Sequence, residues 1–171
     1  MIGTSPEIFA AAIGALIVWC FQLFDKMRDR SRQRESTLVA IASEVRAICV
    51  LIRYQKYLEA FHEQALLIRK GDWNGESYII DIRGAYFKVY DANAENLCAL
   101  SPDHVSKIVG FYAFCQSAID STRPDGPHAN SGNTEEAANN MLGVEGLLRT
   151  ILALGDEIMQ FPAMPLPVMN L

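Results

Sequence analysis

Histidine is scarce in this 171-residue chain: His62, His104 and His128 are the only three, which limits both proton-transfer catalysis and metal binding. Four cysteines, Cys20, Cys49, Cys98 and Cys115, form no C-x-x-C pair and stand in apolar stretches. That placement suits small hydrophobes better than a zinc site or a redox pair, although Cys20, beside a basic segment, is the position best placed for acylation. Phosphate cradles of the G-x-x-x-x-G-K-[ST] or G-x-G-x-x-G type are missing, and so is the G-x-S-x-G elbow of a serine nucleophile. Glu59 and His62 make one Glu-x-x-His pair, but a di-iron bundle needs two such pairs and two further glutamates. Asp125 and His128 fall in a Pro/Gly-containing loop, a poor support for catalytic geometry, and His104 beside Asp103 belongs to a helix start. No catalytic residue, cofactor or metal is therefore assigned.

Charge is missing as well, in one place. Residues 8–24 carry none, and no Lys or Arg precedes Lys26. Seventeen uncharged residues rise roughly 25 Å as a helix, the short end of a bilayer span. Ser5 and Pro6 suit an N-cap and a first-turn proline, while Trp19, Phe21 and Phe24 would sit at headgroup level. Lys26, Arg28, Arg30, Arg32 and Arg34 follow directly, so the positive-inside rule predicts an outside N-terminus and everything after Asp25 on the cytoplasmic side. A cleavable signal peptide is disfavoured because the basic residues come after the apolar run. The membrane-interface residues assigned on this reading are Trp19, Phe24, Lys26, Arg28, Arg30, Arg32 and Arg34. A topology signal explains the basic cluster without a separate role in attracting anionic lipid. Ala10 with Gly14 and Ala11 with Ala15 match the small-x-x-x-small spacing of closely packed helices.

The overall charge of −5 is unevenly spread: residues 1–70 hold ten Lys/Arg against seven Asp/Glu, and the remainder five against thirteen. A folded part so acidic argues against nucleic acid as a partner.

Neither Gly nor Pro occurs between Gly14 and Gly71, so one helix is predicted to run from the anchor to about Lys70. Leu38, Ile41, Val45, Ile48 and Ile52 recur at alternating spacings of three and four, and a second stripe through Tyr54, Leu58, Phe61, Ala65 and Ile68 continues on a shifted face. Residues 71–84 read as an extended connector, since a lone strand has no evident partner. Tyr86, Tyr90, Asn93, Leu97 and Leu100 mark a short helix ending near Ala99, in which Asn93 and Asn96 would fix packing register by hydrogen bonds. Ser101, Pro102 and Asp103 agree on the next helix start, whose stripe is Val105, Ile108, Val109, Tyr112, Cys115 and Ile119, broadened by Phe111 and Phe114. After a loop over residues 123–133, Thr134 opens a last helix with Ala137, Met141, Val144, Leu148, Ile151 and Ile158 inward, which Pro162 stops. The tail carries PxxP spacing, but an apolar tail folding back on the bundle is the preferred reading.

The stretch "YFKVYDANAENLCALSPDHVSKIVGFY", residues 86–112, resembles a pattern in small bacterial membrane-anchored helical proteins of unknown function. Where those have Gly after the first Leu of the turn, this chain has Cys98. The resemblance implies a bacterial inner membrane and no activity.

The expected architecture is all-α: a transmembrane anchor over residues 1–24, a basic juxtamembrane helix over 25–37, a cytoplasmic helical bundle over 38–160 and a Pro-containing tail over 161–171. The expected partners are the lipid bilayer and a protein or a second copy of the chain, and the expected role is that of an interaction or scaffold protein without catalytic chemistry. The alternatives are a membrane-perturbing effector, of toxin or holin type, and an enzyme whose site gathers His62, Glu59 and Asp81.

Overall fold

The computed structural model describes residues 6–72, 80, 84–123 and 133–161, without the side chains of residues 6–14, 84 and 85. Among the described residues the elements are all helical: α1 (Pro6–Tyr54), α2 (Tyr57–Lys70), α3 (Lys88–Asn93), α4 (Pro102–Thr122) and α5 (Thr134–Met159). Short 3-10 segments, Gly84–Phe87 and Ala94–Ala99, flank α3. The connector over residues 71–84, the loop before α5 and the PxxP tail lie largely outside the described residues, as do Asp81, Asp125 and His128.

The expected single helix to Lys70 is broken at Lys56, which adopts the left-handed region at φ 53° and ψ 38°. A lysine there costs on the order of 1 kcal/mol. The reason for the break is the change of stripe. Ile52 faces the main core, and Tyr57 and Phe61 reach the same core only if the chain restarts on a new axis, while Ala65 and Ile68 close a second cluster with Ala138. α2 ends as expected at Gly71, also left-handed at φ 78°, whose N–H donates to Ile68 O while Asp72 N–H donates to Leu67 O, a Schellman closure.

α5 is the central element, in contact with α1, α2 and α4. Its inward face carries Val144, Leu148, Ile151 and Ile158, which close one core with Ile41, Val45, Ile48, Phe61, Ile108 and Phe111. Burying each of these side chains contributes roughly 1.5–3 kcal/mol. Gly155 is what lets α1 come close: a Cβ there would collide with Cys49 Sγ and press on Phe111 and Val45. Polar staples repeat the same pattern, with Arg53 of α1 donating to both carboxylate oxygens of Asp156 at 2.8 and 3.1 Å, and Lys107 of α4 paired with Glu157 at 3.1 Å.

α4 starts as its signals require, with Ser101 Oγ accepting the His104 N–H at 3.3 Å and Pro102 in the first turn. Its buried face is the expected one through Ile108, Phe111, Tyr112, Cys115 and Ile119, with Ala118 added, whereas Val109 and Phe114, expected inward, are exposed. The N-cap of α5 is Asn133, whose Oδ1 accepts from Glu136 N–H at 2.8 Å.

The expected membrane-spanning anchor, and with it the single-pass placement in an inner membrane with the N-terminus outside, is corrected by the structure. Among the described residues, no helix is long and apolar enough to cross a membrane. The uncharged stretch of α1 passes without a break of the helix into Asp25, Lys26 and Arg28.

Candidate interaction site

The seven residues singled out in the sequence, Trp19, Phe24, Lys26, Arg28, Arg30, Arg32 and Arg34, all lie on one stretch of α1. Every residue from 15 to 34 is exposed, and burial begins only at Thr37. Twenty helical residues therefore present themselves over roughly 30 Å. Their first half is apolar apart from Gln22, with Trp19 58% and Phe24 71% exposed. Their second half carries the basic cluster. Isolated apolar side chains are ordinary on a protein surface, but a contiguous apolar segment of this size marks a contact surface.

At the base of this arm, Met27, Arg30, Gln33 and Arg34 face Glu95, Asn96 and Cys98 across an open groove. Gln33 Nε2 donates to Asn96 Oδ1 at 2.9 Å, so Asn96 does tie its segment to α1, while Asn93 Nδ2 turns back to Val89 O at 2.8 Å. Deeper in the same interface, Glu44 accepts three donors: Val89 N–H at 2.8 Å, Tyr90 N–H at 3.0 Å and the Tyr112 hydroxyl at 2.7 Å. Tyr90 stacks on Tyr112 with ring centroids 4.0 Å apart. One carboxylate thus caps the start of α3 and fastens it to α1 and α4. Burial, and then the hydrogen bond to Glu44, push the Tyr112 hydroxyl far above its ordinary pKa, which marks it as a neutral donor.

A second polar cluster joins α2 to α5. Glu145 is 7% exposed, with Oε2 3.0 Å from His62 Nδ1 and Oε1 accepting from Arg149 Nε at 3.0 Å and from Arg149 Nη2. Burial raises the Glu145 pKa, and the hydrogen bonds from Arg149 and His62 outweigh that effect, so its carboxyl is held below the usual value. Glu59, Glu63 and Leu58 complete an open cleft of about 330 Å³. Nδ1 of His62 is committed to Glu145, and no Ser, Thr, Cys or Lys is among the described residues that line the cleft. Of the triad weighed for an enzyme, Glu59 and His62 do share this cleft. Among the described residues no group of three His, Cys, Asp or Glu side chains is placed to hold a metal ion.

Glu44 and Glu145 were missed in the sequence, although both carried a signal. Each is a lone acid within an apolar stripe, Glu44 between Ile41 and Val45 and Glu145 beside Val144 and Leu148. The two buried thiols, Cys49 and Cys115, are pushed up to about 11 and about 12 by burial, while Cys20 and Cys98 are exposed. Compared with protein-family models, curated proteins and solved structures, the chain matches none.

Proposed function

We propose that this chain is a helical interaction or scaffold protein that works through the exposed half of α1. The observation behind this reading is the run of twenty exposed helical residues at 15–34, apolar at its outer end and basic at its inner end, joined without a break to a packed bundle. The bundle supplies what such a role needs. Its core, the Arg53–Asp156 staple and the Glu44 cap fix the direction of α1, so the arm is offered in one orientation and a partner loses less freedom on binding.

Site-specific photocrosslinking in cells tests the proposal. A benzophenone side chain in place of Phe24 is expected to give discrete adducts, and the same group in place of Tyr54, equally open to solvent at the other end of α1, is expected to give none. Equal labelling at the two positions would remove the arm from consideration.

A further inference from the structure

We infer that the occupant of the α1 arm is a second copy of this chain, packed antiparallel against it through the face that bears Leu16, Ile17, Cys20, Leu23, Phe24 and Met27. This inference rests on the arm being an interaction site, and it names the partner.

The first support is continuity. Within the bundle, α1 packs through Leu38, Ile41, Val45, Ile48 and Ile52, at alternating spacings of three and four. The same alternation carried backwards passes Arg34 and Ser31 and then reaches Met27, Phe24, Cys20 and Ile17. At 100° per residue these positions stay on one side of the helix, joined there by Leu16 and Leu23, whereas Val18 points away. This is the seam of helices that pack side by side. Its inner half is covered by the rest of the bundle, and its outer half is exposed, with Met27 at the edge of the groove shared with Glu95, Asn96 and Cys98.

The second support is area. The apolar side chains on this face and its edges, Trp19 and Phe21 included, are 40–71% exposed. At on the order of 100 Å² each, these seven large side chains present roughly 700 Å², close to what one partner contributes to a stable protein interface. A two-fold contact also needs a patch that fits itself. Here small Cys20 lies between the bulky pairs Leu16/Ile17 and Leu23/Phe24, so reversing one helix about Cys20 sets large residues beside large ones and thiol beside thiol.

The third support is charge, and it fixes the direction. Parallel arms would bring two clusters of Lys26, Arg28, Arg30, Arg32 and Arg34 together. Antiparallel arms place each cluster beside the part of the partner that precedes Lys26, which contains no Lys or Arg. Like-charge contact is avoided and the apolar faces still meet.

The test uses the purified full-length chain. Sedimentation velocity over a range of concentrations is expected to show a dimer, and Phe24→Lys with Met27→Lys is expected to weaken it at least about a hundredfold. With Cys98→Ser removing the other exposed thiol, a short bismaleimide is expected to link Cys20 to Cys20 of the partner subunit. In a Cys20→Ser, Cys98→Ser background, mixing Leu16→Cys with Phe24→Cys chains is expected to give the mixed crosslink in preference to either self-crosslink. Self-crosslinks in preference would overturn the antiparallel arrangement. A monomer at every concentration without a Cys20 crosslink would overturn the dimer, as would flotation of a monomer with mixed phosphatidylcholine and phosphatidylglycerol vesicles. If Phe24 photocrosslinks only to a different protein, the dimer falls and the interaction role stands. If Phe24 and Tyr54 label alike, both fall.

Discussion

Replacing Gly155 by alanine sets two known effects against each other. Inside a helix, alanine is favoured over glycine by about 1 kcal/mol, so Gly→Ala is stabilising wherever there is room. At Gly155 there is none: the new methyl would overlap Cys49 Sγ and stand 3.3 Å from Phe111 Cε2 and 3.5 Å from Val45 Cγ1. All three neighbours are buried and held by the α1 and α4 contacts, so relief requires moving a helix, and overpacking of this kind costs about 1–3 kcal/mol. The net expectation is a loss of up to about 2 kcal/mol, which lowers Tm by up to about 6 °C in a chain of this size. Gly143 and Gly146 lie on the open side of the same helix with nothing near a Cβ, and alanine at either is expected to raise stability by up to about 1 kcal/mol. Cys49→Ala vacates the space that the methyl introduced by Gly155→Ala needs, so the double variant is expected to recover most of the loss, with a coupling of about 2 kcal/mol. Urea unfolding at constant m measures each difference. A Gly155→Ala chain as stable as Gly146→Ala, or a double variant whose losses simply add, would refute the close approach of α1 to α5.

The remaining expectations concern single groups. Glu44→Ala strands the Val89 and Tyr90 N–H groups and the Tyr112 hydroxyl, so a loss of about 3 kcal/mol is expected against about 1 kcal/mol for Tyr112→Phe; equal losses in urea unfolding would show that the cap of α3 contributes nothing. The lowered pKa of Glu145 means that its stabilisation is present above the usual carboxylate range and lost as pH falls through the folded value, so Glu145→Gln is expected to flatten the decline of urea midpoints below about pH 4.5. The raised thiols act in the opposite direction: their contribution is intact below pH 9.0 and disappears as pH rises towards about 11 for Cys49 and about 12 for Cys115, a loss that Cys115→Ala is expected to reduce. In the native chain at neutral pH a chromogenic disulfide reagent is expected to titrate Cys98 quickly, Cys20 quickly only when the arms are apart, as in the Phe24→Lys, Met27→Lys variant, and Cys49 and Cys115 only on unfolding; four fast thiols would contradict the packing.

Local rules carried much of the fold. The start of α4 at Ser101 and Pro102, the stop of α2 at Gly71 and the inward stripe of α1 each depend on a few consecutive residues, and each is where the spacing placed it. The break at Lys56 was hidden because no Gly or Pro announces it. Only the shift of the apolar face between Ile52 and Leu58 recorded that α2 needed a different axis. The α4 stripe was drawn too wide, because Val109 and Phe114 lie further than Phe111 and Ala118 from the line through Ile108 and Cys115. The polar clusters were less legible for a different reason: Glu44 meets Tyr112 across 68 positions and Glu145 meets His62 across 83, pairings that no local period encodes. The basic and aromatic residues of α1 were legible as one exposed group. Their placement in a bilayer is overturned, because no helix among the described residues is long and apolar enough to cross a membrane.

That helix has no joint between its two ends. A rod of α-helix couples length and rotation, so inserting one residue near Asp29 would lengthen the arm by about 1.5 Å and swing its tip by about 100° relative to the bundle, whereas inserting seven would restore the original azimuth nearly unchanged. The outer end is thus keyed to the orientation of Arg53 and Asp156 at the far end of the rod, as the bit of a key is set by the turn of its bow.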